Sequence, residues 1–210
     1  MSLEYGSDFQ FYDSASIPKS AERIVELYLQ ETAKYGVDNV ALLSPYRQKT
    51  ETGVNALNEL LREKINPPAP DKAEVVHGTR RFRCGDKVMQ IKNDYDIPYE
   101  RDGAEAGVGA YNGDMGIITA VDPESRAVTV QMDDRKYIYG ADQLAELEPA
   151  YAVTVHKSQG SEFPAVIMPV ADVPARLCYR NLLYTGVTRA RHLCLSLIHI
   201  SEPTRLDVIS

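Results

Sequence analysis

The hydrophobic pattern of this chain changes character twice, and that change limits what it can fold into. From Ile17 to Tyr35 the apolar residues Ala21, Ile24, Val25 and Tyr28 recur at steps of three and four, which puts them on one face of a helix. Ser16 and Pro18 suit its start and Gly36 its stop. Asn39 to Ser44 (NVALLS) is an apolar run of strand length, and Val54, Leu57, Leu60, Leu61 and Ile65 return to helical spacing up to Asn66. Pro67, Pro68 and Pro70 then end regular structure, because proline lacks the amide proton and collides with the preceding turn. Between Phe82 and Leu147 the pattern becomes short β runs: Lys87 to Lys92, Met115 to Val121, Ala127 to Met132 and Lys136 to Tyr139, separated by Asn-Gly-Asp, Asp-Pro and Asp-Asp turns. The glycine- and acid-bearing stretch Asp94 to Asn112 reads as a mobile loop. From Tyr151 the α/β pattern resumes, with Ala165 to Val170 as a buried strand, a helix through Arg180 to Arg191 and a last strand from His192 to Leu197. Two α/β pieces flanking a small β-barrel predict one parallel sheet built from both flanks, since strands alternating with helices favour βαβ units.

Composition narrows the function classes. In 210 residues, 44% are apolar and 25% charged, ordinary globular usage that disfavours disorder, collagen-like repeats and a disulfide scaffold. The sequence contains no apolar run near the ~20 residues of a membrane span, and Met1 to Gln10 lacks the features of a signal peptide, so the expected location is the cytoplasm, with no membrane partner. Cys84, Cys178 and Cys194 form no C-x-x-C pair and the four histidines fall at no metal-ligand spacing, so reduced thiols and no metal site are expected. The net charge of −7 opposes nucleic-acid binding taken whole, yet it is segregated: residues 72–92 hold 6 Lys/Arg against 2 Asp/Glu and residues 149–200 hold 5 against 2, while residues 93–148 hold 4 against 13. The two basic segments form a phosphate track if they meet in space.

Two stretches carry candidate chemistry. Thr154-Val-His-Lys-Ser-Gln-Gly-Ser-Glu-Phe163 stands immediately ahead of a predicted buried strand. Its Thr, His, Lys, Ser and Gln offer several donors to phosphate oxygens, and Gly160 lets backbone approach a ligand; taken alone it also reads as a polar loop. Asn181-Leu-Leu-Tyr-Thr-Gly-Val-Thr-Arg-Ala-Arg191 carries Arg189 in a mostly small and apolar setting. A planar, permanently charged guanidinium there suits a phosphate, or an ordinary surface salt bridge.

In this order and at this separation, the two stretches resemble motifs V and VI of superfamily 1 helicases in their RecD-like version, the exodeoxyribonuclease V alpha subunit family. The resemblance extends backwards: Leu43-Ser-Pro-Tyr-Arg47 with Gly53-Val-Asn-Ala-Leu-Asn58 is similar to helicase motif IV, and Phe82-Arg-Cys-Gly-Asp-Lys-Val-Met-Gln90 with Asn112-Gly-Asp-Met-Gly116 to the family's inserted barrel. It covers roughly Asp8 to Leu197. The resemblance implies a RecA-like (P-loop NTPase-type) second motor domain, 2A, from residues 8–80 and 149–197, with an inserted SH3-like barrel, 2B, at residues 81–148. It implies catalytic roles at the nucleotide γ-phosphate for Arg47 and Arg189, the latter as arginine finger. Gly160 and Glu162 are implied to contact the nucleotide, and Thr154, His156, Lys157 and Ser158 the phosphates of single-stranded DNA. The activity implied is ATP-dependent DNA unwinding in recombination and repair, 5′ to 3′ as in the family, with ATP and Mg2+ as cofactors. The partners implied are single-stranded DNA, the N-terminal motor domain and other subunits of a recombination nuclease.

The sequence holds no Gly-Lys dipeptide, hence no phosphate-cradling G-x-x-x-x-G-K-[ST] loop. The chain therefore reads as a C-terminal fragment, expected to be inactive in ATP hydrolysis alone, with the Mg2+ ligands elsewhere. Asp172 is not expected to bind metal. Residues 198–210 depart from the family pattern and read as a non-native tail, and Met1-Ser-Leu3 as an expression remnant. Tyr95, Tyr99 and Tyr111 are expected to pack within their loop rather than stack on bases, whereas Arg80, Arg81 and Arg83 suit either a DNA backbone or a solvated hinge. The alternative reading of the whole is a non-enzymatic nucleic-acid or protein adaptor built on a motor remnant.

Overall fold

The computed structural model describes residues 3–5, 9–13, 17–47, 52–103, 105–169 and 180–198. The chain starts with strands β1 (Leu3–Tyr5) and β2 (Phe9–Asp13), helix α1 (Ile17–Tyr35), strand β3 (Val40–Ser44) and helix α2 (Val54–Ile65). It continues into a hairpin of β4 (Glu74–His77) and β5 (Arg80–Arg83), and then β6 (Lys87–Gln90), β7 (Asp94–Arg101), β8 (Gly107–Ala110), β9 (Met115–Asp122), β10 (Ala127–Met132), β11 (Arg135–Tyr139) and β12 (Leu147–Pro149). It closes with β13 (Ala152–Thr154), β14 (Phe163–Pro169), helix α3 (Arg180–Val187) and β15 (Ala190–Ile198).

The first sheet has the order β1-β2-β15-β14-β3-β13. Apart from the antiparallel β1 and β2, its neighbours run parallel. β3, from before the β-rich middle, lies between β14 and β13, from after it, so both flanks share one sheet. The apolar run of β3 is continuous because each face is covered, as parallel sheets require. Val40 and Leu42 pack under Ile24, Tyr28, Leu57 and Leu61 of the two long helices, while Ala41 and Leu43 join Val153, Phe163 and Val166 on the other face. Met89 of β6 is buried in that second cluster, which seats the β-rich middle on the parallel sheet. Burial of each such large side chain contributes ~1.5–3 kcal/mol.

The second sheet is wholly antiparallel, in the order β12-β6-β9-β10-β11-β7-β8, and curls around Phe82, Ile118, Val128, Val130, Tyr137 and Tyr139. The fold class is thus the one expected, a RecA-like parallel sheet carrying a small SH3-like antiparallel unit.

Other expectations need correction. Asp94 to Asn112 is not a mobile loop: it holds β7 and β8, paired through Asp94–Ala110 and Pro98–Val108. Ile97 and Ala110 are 1% and 0% exposed, and these two anchors outweigh the acids and glycines around them. The hairpin β4–β5 and strands β1, β2 and β13 are also additions to the sequence reading. α3 ends at Val187 and β15 begins at Ala190, because Ala190 already pairs with Phe163. Asp172, Cys178 and residues 199–210 of the expected tail lie outside the described residues, whereas Ile198, the first residue of that tail, belongs to β15 and pairs with Asp13.

Candidate nucleotide and nucleic-acid interface

β3 and β13 are parallel neighbours with Thr154 opposite Ser44, so the chain leaves both strands at the same edge, where open α/β sheets place ligands. Arg47 and Lys157 each follow three residues after these ends, and one carboxylate holds them both. Glu148 Oε2 accepts a hydrogen bond from Lys157 Nζ at 2.9 Å, and Oε1 accepts from Arg80 at 3.0 Å and from Arg47. Burial alone would raise the Glu148 carboxyl; the hydrogen bond and charge of Lys157, then the charges of Arg47 and Arg80, hold it below the usual carboxylate range. Glu148 is not legible as a site residue in the sequence, because it sits outside the motif and carries no spacing signal of its own.

Backbone placement is equally specific. The Asn58 side chain donates to the carbonyls of Ala152 (2.9 Å) and Pro149 (3.3 Å) and accepts from the Ala152 amide at 2.8 Å. Helix α2 thereby fixes the start of β13, which leads directly into the polar turn.

That turn is closed by its own backbone. The Thr154 carbonyl accepts from the amides of Lys157 (2.9 Å) and Ser158 (3.2 Å). His156 is exposed and Thr154 half-buried, both open to a ligand. Ser158 differs: it is 0% exposed and its hydroxyl donates to the Val155 carbonyl at 2.8 Å, so it shapes the turn from inside instead of facing outward. Gly160 has φ +90 with open space where a Cβ would stand, a left-handed backbone that a glycine adopts without strain.

The far end of the turn meets Arg189. Arg189 Nη1 donates to the Ser161 carbonyl at 3.3 Å and Nη2 to Thr188 Oγ1 at 3.3 Å, and the Arg189 carbonyl accepts from the Phe163 amide at 2.8 Å. Its Nε is buried without a hydrogen-bond partner among the described residues, which leaves a donor unspent. Glu162 pairs with Arg191 at 2.8 Å, both more than half exposed, a pair of small energetic weight.

The structure therefore separates two residues that the sequence reading placed together. Arg47 follows the carboxyl end of β3, whereas Arg189 precedes the amino end of β15, level with the start of β14. At ~3.3 Å per strand residue these ends lie on the order of 15–20 Å apart. Gly160, Glu162 and Arg189 form one group; Arg47, Thr154, His156 and Lys157 form the other.

The expected phosphate track also changes. Within residues 72–92, Lys87 is 1% and Arg83 3% exposed. Arg83 is tied to Glu74 at 2.6 Å, Lys92 to Glu146 at 2.6 Å and Arg80 to Glu148 at 3.0 Å. This basic segment is largely neutralised within the fold; Arg81, whose side chain is 64% exposed, leans on Glu74 at 3.3 Å. Of the tyrosines, Tyr99 packs on Tyr137 at 5.5 Å, while Tyr95 and Tyr111 are exposed and meet edge to face at 6.2 Å.

Two stretches of the chain match known families. Residues 57–132 match the SH3 domain of ATP-dependent RecD-like DNA helicases, and residues 149–195 the UvrD-like helicase C-terminal domain. The chain is 32% identical over 174 residues to the ATP-dependent RecD2 DNA helicase of Deinococcus radiodurans, covering 83% of this chain and 22% of that protein. It is 33% identical over 107 residues to the RecBCD enzyme subunit RecD of Mycolicibacterium smegmatis, covering 51% of this chain and 17% of that protein. The chain thus spans about a fifth of the length of these relatives. A Pif1 helicase structure from Bacteroides in complex with ADP-AlF3 and ssDNA is 18% identical, with a TM-score of 0.48, over 90% of this chain and 50% of that one.

Proposed function

We propose that this chain, which belongs to the RecD-like superfamily 1 helicases, is the second motor domain, 2A with its inserted 2B, of an ATP-driven 5′ to 3′ DNA helicase acting in recombination and repair. The observation that carries this reading is the turn from Thr154 to Glu162, which runs from the edge holding Lys157 to the edge holding Arg189. Arg189, Gly160 and Glu162 face the nucleotide, and Thr154, His156 and Lys157 grip DNA phosphates. Arg47, which the family resemblance assigns to the γ-phosphate, lies beside Lys157 and is assigned here to the DNA side. Ser158 supports the grip by holding the turn.

ATP bound with Mg2+ supplies the phosphoryl group whose transfer drives the motor. The buried Nε of Arg189, unpartnered among the described residues, and the open left-handed backbone at Gly160 suit an anionic ligand. With no Gly-Lys dipeptide in the sequence, the phosphate cradle and the Mg2+ ligands belong to an N-terminal motor domain of the parent protein, and this chain alone is inactive in hydrolysis. Arg189 neutralises the charge that spreads over the transferring phosphoryl, a contribution worth ~10³–10⁵ in rate. Because one short turn bears both groups, closure over the nucleotide moves the DNA-gripping end with it. The parent acts in the cytoplasm on single-stranded DNA, alone or with other subunits of a recombination nuclease.

Two measurements test this reading. Arg189→Ala in the parent protein should abolish DNA-stimulated ATP hydrolysis, by ~10³-fold or more, without unfolding; unchanged hydrolysis refutes the finger. Fluorescence anisotropy of labelled oligo-dT should show salt-dependent binding to this chain that weakens in Lys157→Ala, with the slope of log affinity against log salt shallower by about 0.7 for one lost phosphate contact on a single strand. Equal binding by both proteins refutes the DNA grip.

A further inference from the structure

Glu148 has no part in the reading above, yet its carboxylate touches cations from three segments: Arg47 after β3, Arg80 of β5 and Lys157 of the polar turn. Its side chain is 14% exposed and sits on β12, in register with β6. Arg80 fixes it further, donating from Nη1 to the carbonyls of Ala145 (3.0 Å) and Leu147 (2.9 Å) while Nη2 holds Oε1 at 3.0 Å. The carboxylate is therefore a fixed object, and Arg47 and Lys157, 51% and 27% exposed, are long side chains that come to it.

An ionised carboxylate and a DNA phosphate present the same chemistry to an ammonium, two or more anionic oxygens within hydrogen-bond reach. Resting on the assignment of Lys157 to DNA, we propose that Glu148 is a built-in counter-anion that competes with the DNA phosphate for Lys157 and so limits how tightly this surface holds single-stranded DNA. A motor must release as well as grip, and a carboxylate positioned by Arg80 lowers the cost of leaving each phosphate, because Lys157 exchanges one anion for another. Through Oε1 the same group holds Arg47, so engaging one cation with a phosphate strengthens the hold of Glu148 on the other.

The test is an anisotropy titration of labelled oligo-dT at about 50 and about 200 mM salt with the 210-residue chain, Glu148→Gln, Lys157→Ala and the double variant. Glu148→Gln should bind about two- to fivefold tighter at the lower salt, the equilibrium equivalent of one partly exposed ion pair, and its salt slope should steepen by about 0.7. On the Lys157→Ala background the gain should shrink to what the freed Arg47 contributes. An unchanged or weaker affinity, or an equal gain without Lys157, overturns the proposal. If Lys157→Ala binds as the unsubstituted chain does, the DNA assignment itself fails and the proposal falls with it. If Lys157→Ala weakens binding while Glu148→Gln changes nothing, only the proposal fails. A far-UV spectrum confirms folding; should Glu148→Gln unfold, Glu148→Asp serves in its place. The shorter carboxylate cannot span Arg47 and Lys157 together and should also tighten binding, and no gain there overturns the proposal.

Discussion

Asp86 shows how much of this fold hangs on single polar side chains. It is 3% exposed and accepts from Arg62 Nε (2.9 Å), Asn66 Nδ2 (2.7 Å), the Arg83 amide (2.9 Å) and the Tyr151 hydroxyl (3.2 Å). These donors come from α2, its C-terminal cap, the hairpin β4–β5 and the residue before β13, so one carboxylate ties the helix to both sheets. Breaking a buried pair strands the partner's charge. Asp86→Ala should therefore cost about 3–5 kcal/mol in urea denaturation, and a loss under about 1 kcal/mol would contradict this role. Residues of this kind were the least legible in the sequence. The donors of the polar turn announced themselves by residue type, but Asp86, Asn58 and Glu148 act through partners distant along the chain, and nothing in local spacing reveals a partner. The placement of Arg47 relative to Arg189 is hidden for the same reason: whether two arginines share an edge of a sheet depends on which strand ends they follow.

Among the elements, those with a regular apolar period are legible in the sequence, whereas strands built from residues of low strand propensity are not. The two long helices and β3 are legible because their apolar periods largely match the faces they bury, Leu60 of α2 excepted, which stays 43% exposed. β7 and β8 are hidden because acids and glycines such as Asp94, Asp96, Glu100 and Gly107 surround the few apolar residues, Ile97 and Ala110, that they bury in the core. The Asp94 carboxylate even assists the strand, accepting from the Asp96 and Ile97 amides at 3.0 and 3.2 Å. Gly116 on β9 shows an element constraint that sequence hints at without explaining. A Cβ there would lie 2.1 Å from the Gln131 carbonyl oxygen and 2.7 Å from Met132 Cγ, next to the register shift between Thr129 and Val130. Backbone cannot yield as a flexible side chain does, so Gly116→Ala should destabilise by about 1–3 kcal/mol. A thermal melt within about 1 °C of the unsubstituted chain would show that β9 and β10 can separate at little cost.

For the whole molecule, the association of the curled sheet with the parallel sheet runs through a buried cation. Lys87, at the first residue of β6, sends its Nζ to the carbonyls of Val37 (2.8 Å), Asp38 (3.2 Å) and Val40 (3.0 Å), beyond the end of α1. It also lies 5.9 Å from the centre of the Phe163 ring. Burial lowers its pKa to about 8, partly opposed by the charge of Asp38. A lysine lowered in the folded state and ordinary in the unfolded one binds fewer protons when folded between about pH 8 and 10.5, so its contribution makes stability rise with pH through that window. Other groups act in the opposite sense. Burial raises Cys194 to about 11 and also raises Tyr28, Tyr139 and Tyr151, so their unfolded forms ionise first and stability falls as alkali increases. Comparing the chain with Lys87→Met cancels these shared terms. Between pH 7 and pH 9 the unsubstituted chain should gain about 1 kcal/mol of unfolding free energy relative to Lys87→Met, read from urea midpoints at each pH. Parallel pH profiles would mean that Lys87 stays charged in the folded protein, held by its three carbonyls, and that the junction between the sheets tolerates a buried ammonium.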